Sequence, residues 1–296
     1  MKKIYLIGVD GGTESLRAGV FDHAGVPLAY AATTYATEFP APGWAEQNPQ
    51  DWWSALGQSV REAVKKAGIR PDQVTAMTVD TTCCSVVALD SAGNAVRPAL
   101  IWMDVRSAKQ AEQLVATGDA ALCINSNGNG PVSAEWMIPK ALWIQQNEPE
   151  LFDRAFTVCE YQDYLNLHLT GRRVASINNV ASRWHYNRSR GGIPQSLLKS
   201  LDLEALAEKW PQEVLALGEV IGGLTTEAAE HLGLPTGLPV VQGGADAQIG
   251  MIGLGVVQPG SLAFITGSSH LQLGLSEKEF YGTGIWGTYS DALLPG

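Results

Sequence analysis

The chain has 296 residues, a length that fits one large domain or two of about 150 residues each. Hydrophobic residues make up 45% of it and charged residues 17%, and no apolar stretch reaches the ~20 residues that span a bilayer. The net charge of -10 argues against nucleic acid or an anionic membrane as a partner. A nucleotide stays possible, because backbone amides and Mg2+ hold phosphate within acidic proteins.

The cysteines and histidines indicate a cytoplasmic protein without structural zinc. Cys83, Cys84, Cys123 and Cys159 form no C-x-x-C pair, so we interpret all four as free thiols in a reducing compartment. The five histidines show no metal-ligand spacing. The apolar run in "MKKIYLIGVD" is short and stops at Asp10, which argues against a signal peptide.

The first predicted elements are three short strands joined by the turns "DGGT" and "HAGV". They form an antiparallel meander over 4–9, 17–21 and 27–32. A helix follows, with Asn48 as its N-cap, Pro49 in its first turn and Gly68 at its end. One face of this helix is apolar, carrying Trp52, Leu56, Val60, Ala63, Val64 and Ala67.

Helices and strands then alternate, which predicts a mixed α/β fold. "VTAMTVDTT" reads as a buried strand, and "SVVALD" and "ALIWMD" as two further extended segments. Helices are predicted in "SAKQAEQLVATGD", "EWMIPKALWIQQNEPE", "YQDYLNLHLTG" and "DLEALAEKW". In "GLPVVQGGADAQIG" a strand leads into a helix that starts near Asp246, and "SLAFITGSSHLQLGL" predicts a hairpin.

The turn in "GVDGGTESLRAGVF" has the composition of a phosphate site. Gly11 and Gly12 allow backbone amides to converge on an anion, Thr13 adds a hydroxyl, and Arg17 suits phosphate oxygens. Asp10 would repel phosphate unless a cation lies between them, which points to Mg2+ held through water. The chain has no Walker motif. A plain tight hairpin with solvated polar side chains remains an equal alternative.

Seven segments together resemble the FGGY carbohydrate kinases of the actin and sugar-kinase superfamily. Five carry the family likeness: "GVDGGTESLRAGVFD", "PGWAEQNPQDWW", "PALIWMDVRSA", "YQDYLNLHLTG" and "PVVQGGADAQIG". Asn48 stands where the family commonly has Asp. "VDTTCCSVVALD" and "SAEWMIPKALW" look like ribulokinases in particular. The resemblance covers essentially the whole chain.

The resemblance implies a ribonuclease-H-like α/β domain, with a mixed sheet flanked by helices. Residues 1–254 would be the N-terminal sugar-binding and catalytic domain, and 255–296 the start of the ATP-binding domain. About forty residues are too few for a second core of that size. We therefore expect an incomplete adenosine pocket, exposed strand edges, and little or no turnover by these residues alone.

The resemblance also implies roles for individual residues, with ATP and Mg2+ as cofactors. Asp246 would be the general base that accepts the proton of the sugar hydroxyl; its alternative is a helix N-cap. Asp10 would hold Mg2+ through water. The phosphates would be held by Asp10, Gly11, Gly12, Thr13, Arg17, Thr266, Gly267 and Ser268, the last three of which could instead form a simple hairpin turn.

The sugar is expected against Thr82, Cys83, Trp102, Asp104, Glu135 and Lys140, together with Asp246. Lys140 could instead be a solvated residue of a first helical turn, and Trp102 could belong to the core. Glu46 lies either behind the site or on a surface loop. Cys83 and Cys84 stand where glycerol kinases carry a charged Arg-Glu pair, which favours a ketopentose over glycerol.

The expected reaction is ATP-dependent phosphorylation of a ketopentose, ribulose giving ribulose 5-phosphate. Xylulose or another sugar or polyol, in either enantiomer, remains an alternative. A second alternative is a non-catalytic sugar-binding fragment or pseudokinase. A third is an actin-like or chaperone ATPase, which "GWAEQNP" and "EWMIPK" disfavour. The resemblance further implies a homodimer.

Overall fold

The computed structural model describes residues 4–266 and 270–295. The β-strands are β1 Tyr5–Gly11, β2 Ser15–Asp22, β3 Pro27–Thr34, β4 Glu46–Gln47, β5 Val74–Thr81, β6 Val86–Leu89, β7 Ala99–Leu100, β8 Thr157–Glu160, β9 Val174–Ser176, β10 Glu213–Leu215, β11 Val220–Gly223, β12 Pro239–Ala245, β13 Leu262–Thr266 and β14 His270–Gly274. The α-helices are α1 Pro49–Ala67, α2 Ala108–Ala116, α3 Met137–Asn147, α4 Pro149–Arg154, α5 Tyr161–Thr170, α6 Ile177–Arg183, α7 Gln195–Ser200, α8 Ala205–Lys209, α9 Thr226–Leu232 and α10 Asp246–Gly253.

A six-stranded mixed sheet organises the fold, in the order β11-β12-β5-β1-β2-β3. β1, β5 and β12 run parallel, whereas β2, β3 and β11 are antiparallel to their neighbours. The predicted meander is confirmed as β1–β3, and α1, α5 and α10 pack against the sheet. The mixed α/β prediction is thus confirmed. The three parallel strands bring their carboxyl ends to one edge, which is where sites form in such sheets.

The ends of α1 follow the local chemistry that the sequence predicts. Asn48 Oδ1 accepts the Gln50 amide at 3.1 Å, and Pro49 needs no hydrogen-bond partner in the first turn. Gly68 ends the helix with φ 65°, a left-handed conformation that glycine adopts without strain. The apolar face of α1 buries Trp52 and Leu56 in the main core, so the helix covers β2 and β3.

A second sheet, β4-β7-β6-β8, joins two of the sequence motifs. β4 lies in "PGWAEQNPQDWW" and β7 in "PALIWMDVRSA", and the register pairs Glu46 with Leu100 and Gln47 with Ala99. A second core, with Trp136, Leu142 and Trp184 among its members, packs beside this sheet. The two motifs therefore form one structural unit although some fifty residues separate them.

The predicted C-terminal hairpin is present as β13 paired with β14. Met251, Val256, Ala263 and Leu293 form a small third core. α10 ends at Gly253, and the domain boundary between 254 and 255 stays a prediction. Within the described residues, no helix combines the length and apolarity that a membrane span requires.

Candidate active site

Four charged residues lie side by side at one edge of the main sheet. Asp10 on β1 pairs in register with Arg17 on β2 and with Asp80 on β5. Ala245 at the end of β12 pairs with Thr81, so Asp246 follows directly beside β5. This row, Arg17–Asp10–Asp80–Asp246, arises because the parallel strands β1, β5 and β12 end at the same edge of the sheet, where the antiparallel β2 begins.

The row opens into a cleft of about 540 Å³. Six residues predicted for phosphate or sugar binding line it, namely Asp10, Gly12, Thr13, Arg17, Thr82 and Asp246. The other lining residues are Asp80, Ile249, Gly250 and Gly253. Residues from three separate sequence motifs thus meet around one space. Sequence reasoning missed Asp80, although a carboxylate near the end of a buried strand is a signal for such a site.

The three carboxylates of the row differ in how their charge is compensated. Arg17 Nη1 lies 2.9 Å from Asp10 Oδ2, and it opposes the rise in the pKa of Asp10 that burial causes. Asp80 has no such cation within the described residues, and its buried Oδ1 has no hydrogen-bond partner there. Burial, then the charges of Asp10 and Asp246, raise the pKa of Asp80 to about 8.

Asp246 is the first residue of α10 and its side chain is exposed. The predicted N-cap alternative is wrong, because Ala245 occupies the cap position. Asp246 Oδ1 accepts the Ala247 amide at 2.7 Å, which opposes the rise in the pKa of Asp246 caused by desolvation. Among the described residues the second carboxylate oxygen accepts no hydrogen bond, so it can accept a proton from a hydroxyl in the cleft.

Neighbouring side chains hold the glycine turn rigidly. A Cβ on Gly11 would lie 2.9 Å from the Tyr161 ring, so only glycine fits there. The Gly12 amide donates to Ser15 O at 3.0 Å and closes the turn. The Gly12 amide is therefore engaged within the turn in this conformation, and convergence of the other turn amides on a phosphate stays a prediction. The Tyr35 hydroxyl donates to Gly12 O from outside the turn.

Trp102 connects the phosphate turn to the predicted sugar side. Its Nε1–H donates to Thr13 Oγ1 at 2.9 Å, and Gln47 Nε2 donates to Thr13 O at 2.7 Å. Trp102 is partly exposed and packs against the second core. The core interpretation of Trp102 therefore holds in part, since most of its ring contacts the second core and one edge faces the turn. Contact of Trp102 with sugar stays a prediction.

The geometry does not support the predicted sugar contact of Lys140. Its side chain is 0% exposed, so the alternative of a solvated first-turn lysine is wrong as well. The ammonium donates to Cys84 O and Ile101 O at 2.7 Å and to Leu100 O at 3.3 Å. Burial lowers the pKa of Lys140 to about 8. All three protons are engaged, so Lys140 holds β7 against the Cys84 backbone.

Asp104 is likewise enclosed, and its predicted sugar contact is not supported. It is 0% exposed, accepts the Ala45 amide at 2.7 Å and pairs with Arg106 Nη2 at 2.7 Å. Glu46 is 9% exposed and pairs with both Arg106, at 2.8 Å, and Arg97, at 2.9 Å. The surface-loop alternative for Glu46 is therefore wrong. We call Glu46, Arg97, Asp104, Arg106 and Lys140 the buried charge network.

Two further predicted sugar residues are partly exposed. Cys83 follows the cleft residue Thr82, whose amide donates to Gly11 O at 2.9 Å. Glu135 precedes α3, and its amide donates to Ser133 Oγ at 3.2 Å. All four cysteines carry free thiols, as predicted. Contact of Cys83 and Glu135 with sugar stays a prediction.

The second predicted phosphate loop begins with Thr266, the last residue of β13. Thr266 is exposed and is not among the residues that line the cleft. Gly267 and Ser268 lie outside the described residues. Closure of this loop on the phosphates stays a prediction.

The cleft fits a cation held mainly by water and phosphate. The residues described contain no group of three or more His, Cys, Asp or Glu side chains placed to hold a metal ion. The Asp10 carboxylate and the unpartnered Oδ1 of Asp80 are nevertheless hard oxygen ligands in one cleft. Mg2+ typically keeps several waters and takes one or two carboxylates plus substrate phosphates, so these residues suit it.

Comparison with known proteins identifies the family of the chain. The N-terminal domain of the FGGY family of carbohydrate kinases matches residues 5–253. The chain belongs to the FGGY family of carbohydrate kinases. An FGGY carbohydrate kinase domain-containing protein from Homo sapiens is 32% identical to this FGGY chain over 322 residues, covering 99% of the chain and 57% of the relative.

Two further relatives place this FGGY chain among sugar kinases. A ribulokinase from Geobacillus thermodenitrificans is 30% identical over 327 residues, with 100% of the chain and 57% of the relative covered. The crystal structure of xylulose kinase from Rhodospirillum rubrum superposes with a TM-score of 0.78 at 30% identity, over 88% of this chain and 53% of that one. The ribonuclease-H-like prediction is confirmed. The chain spans little more than half the length of these relatives.

Proposed function

We propose that the protein phosphorylates a ketopentose with ATP, and that ribulose is converted to ribulose 5-phosphate. The observation that carries this proposal is the placement of Asp246, exposed at the start of α10, in the same cleft as Asp10, Thr13 and Arg17. A proton acceptor and a phosphate-binding turn therefore face one space. Phosphoryl transfer requires this proximity, since positioning and charge neutralisation supply most of its catalysis.

In the proposed reaction Asp246 accepts the proton of the sugar hydroxyl as that oxygen attacks the γ-phosphorus. The raised pKa of Asp246 makes its carboxylate a better proton acceptor than an ordinary aspartate. The Ala247 amide fixes one carboxylate oxygen at 2.7 Å, which leaves the other oriented for the hydroxyl. Asp246 thus acts as an oriented general base.

Arg17 and Thr13 would hold the phosphate end of the nucleotide. Arg17 supplies a guanidinium for phosphate oxygens, and Thr13 is kept in place by Trp102 and Gln47. Asp10 and Asp80 would hold Mg2+, in part through water. When bound, that ion neutralises the charge of the β- and γ-phosphates.

Ribulose is proposed as the acceptor because "VDTTCCSVVALD" and the ribulokinase relative point to it. The structurally similar xylulose kinase makes xylulose the second candidate. Both sugars are ketopentoses that differ in stereochemistry, so the same base and phosphate site serve either. The hydroxyl partners around Thr82 and Trp102 would select between them.

The test is thermal unfolding of the purified chain with D-ribulose, L-ribulose, D-xylulose or glycerol, each with and without Mg-ATP. Ligands that bind the folded state raise Tm. At a ligand concentration a hundredfold above Kd, the free energy of unfolding increases by about 2.7 kcal/mol. We expect a ribulose enantiomer to give the largest shift. A larger shift with xylulose would select the second candidate, and no shift with any ketopentose would contradict the proposal.

A parallel assay of nucleotide hydrolysis separates a kinase from an ATPase. ADP release in the absence of any sugar would support the actin-like ATPase alternative and contradict a sugar kinase. Sugar binding that persists in the presence of Mg-ATP without any phosphorylated product would support a non-catalytic sugar-binding protein.

A further inference from the structure

Two adjacent thiols lie beside the cleft in an arrangement that the proposed phosphoryl transfer does not use. Cys84 Sγ lies 3.6 Å from Cys83 Sγ, and the Cys84 thiol donates to the Cys83 sulfur. Consecutive residues of an extended strand point to opposite faces. Here Cys84 has φ 66°, so the chain leaves the extended conformation directly after β5 and the two sulfurs meet.

The two thiols have different environments. Cys83 is partly exposed, whereas Cys84 is buried. The hydrogen bond from Cys84 lowers the pKa of Cys83, and the positive charge of Arg183 lowers it further, against the effect of burial. The pKa of Cys84 is raised by the same hydrogen bond and by burial. In this partly exposed residue, the Cys83 sulfur therefore has more thiolate character than the buried Cys84 thiol that donates to it.

We propose that Cys83 and Cys84 form a peroxide-reactive dithiol, in which Cys83 reduces a hydroperoxide and Cys84 resolves the product as a vicinal disulfide. Redox-sensing cysteines share these features of partial exposure, a nearby cation and an adjacent resolving thiol. The oxidant is hydrogen peroxide or an organic hydroperoxide.

The oxidation of the dithiol takes place in two steps. The Cys83 thiolate attacks the OH oxygen of the peroxide, an S–O bond forms, the O–O bond breaks, and the leaving alkoxide or hydroxide takes a proton from solvent to depart as alcohol or water. Cys83 is thereby oxidised by two electrons to the sulfenic acid and the peroxide is reduced. The Cys84 sulfur then attacks Cys83, an S–S bond forms, the S–O bond breaks, and water leaves with the Cys84 proton.

The vicinal disulfide would be easily reduced, and it would form next to Thr82 at the edge of the cleft. A disulfide needs a sulfur separation of about 2.05 Å, well below the 3.6 Å observed here. Adjacent Cα atoms are about 3.8 Å apart, closer than the usual disulfide range, so the bond is strained and easily reduced. The backbone cannot relax freely, because Thr82 is bonded to Gly11 and Cys84 to Lys140.

Cys123 provides a matched control within the same chain. It is also partly exposed and also has an arginine nearby, with Arg190 Nη1 at 3.5 Å from its sulfur. Among the described residues it has no adjacent thiol. A difference in reactivity between Cys83 and Cys123 therefore reports the effect of Cys84 rather than that of exposure or of an arginine alone.

The experiment treats the reduced full chain with hydrogen peroxide or cumene hydroperoxide, quenches it by alkylation, and follows each cysteine by peptide mass spectrometry. We expect the Cys83–Cys84 disulfide to form on the order of tenfold faster than oxidation of Cys123. Cys84→Ser should instead accumulate a dimedone-reactive sulfenic acid at Cys83. Neither sugar nor nucleotide is present, so the result is independent of the proposed kinase function.

Two outcomes would overturn the proposal. One is oxidation of Cys83 no faster than that of Cys123 in the unaltered chain. The other is conversion of Cys83 to its sulfinic acid without any disulfide to Cys84. Both are read from the unaltered protein, so they remain decisive even if Cys84→Ser fails to fold.

Discussion

The cleft and the buried charge network both contain charged residues, but the network pairs its charges within the protein, whereas the cleft leaves some of its carboxylate oxygens without partners. In the network, Asp104 and Lys140 are 0% exposed and engage arginine side chains or backbone carbonyls. In the cleft, Asp246 is exposed, and Asp80 leaves one buried oxygen without a partner. Groups whose partners lie within the fold stabilise it, whereas groups without partners are available to a ligand.

This contrast separates residues that the sequence alone places together. Trp102 and Asp104 lie two residues apart in "PALIWMDVRSA", and both were expected to contact the sugar. Trp102 faces the phosphate turn through Thr13, but Asp104 turns into the protein towards Arg106. A shared motif therefore contains one residue that contacts the phosphate turn and one that belongs to the buried charge network.

The largest expected effect is on the cleft side of the contrast. Asp246→Asn should lower phosphoryl transfer to the ketopentose by roughly 10²–10⁴-fold, because the amide cannot accept the hydroxyl proton. Initial rates of sugar phosphate formation measure this effect. Glu62→Gln, an exposed carboxylate on α1, is the control and should leave the rate unchanged. An Asp246→Asn enzyme with the full rate would remove Asp246 as the base.

The second prediction concerns the network. Lys140→Met should lower the free energy of unfolding by about 2–4 kcal/mol, because three buried carbonyl groups lose their donor. Urea denaturation of the chain measures it, with the exposed Lys199→Met as the control. Unchanged stability together with weaker sugar binding would return Lys140 to the sugar site.

A third prediction tests a buried carboxyl, Glu160, that accepts hydrogen bonds from neutral donors but pairs with no cation in the part of the chain that the structure describes. Glu160 accepts hydrogen bonds from the Cys84 amide and Trp184 Nε1, and burial, followed by the charge of Cys83, raises its pKa to about 8. Between about pH 4.5 and 8 the folded state keeps a proton that the unfolded state releases, so Glu160 makes stability fall as pH rises.

The free energy of unfolding should therefore fall less steeply between pH 5 and 8 in Glu160→Gln than in the unaltered chain. Urea denaturation at several pH values measures the slope, and the exposed Glu150→Gln serves as the control. An identical slope in the Glu160→Gln variant would mean that Glu160 is already ionised at neutral pH, and that its hydrogen bonds outweigh its burial.

The smallest effect is expected where the two regions meet. Trp102→Phe removes the donor to Thr13 Oγ1, a loss of about 1 kcal/mol that should weaken Mg-ATP binding severalfold. Thr13→Val should have a similar effect, and the double variant should add little to either change. Fully additive losses would show that the bond between Trp102 and Thr13 does not hold the turn.

Local sequence patterns were enough to predict much of this molecule. Asn48 and Gly68 mark the ends of α1 through chemistry confined to one or two turns, and "GGAD" correctly places Asp246 where a strand meets a helix. The burial of Lys140 and Asp104 depends on pairing between β4 and β7, and on packing of α3 over them. Such contacts between distant segments leave no periodic signal in the sequence.

The most direct test compares Asp246→Ala with Asp104→Asn by thermal unfolding, each with and without ribulose and Mg-ATP. We predict that Asp104→Asn lowers Tm without ligand, since Arg106 loses a buried partner, but keeps a ligand-induced rise. Asp246→Ala should keep the unliganded Tm and reduce the rise that ribulose causes, because the sugar hydroxyl loses its partner in the cleft. The reverse pattern would contradict the assignment of Asp246 to the chemistry of the cleft and of Asp104 to the buried charge network.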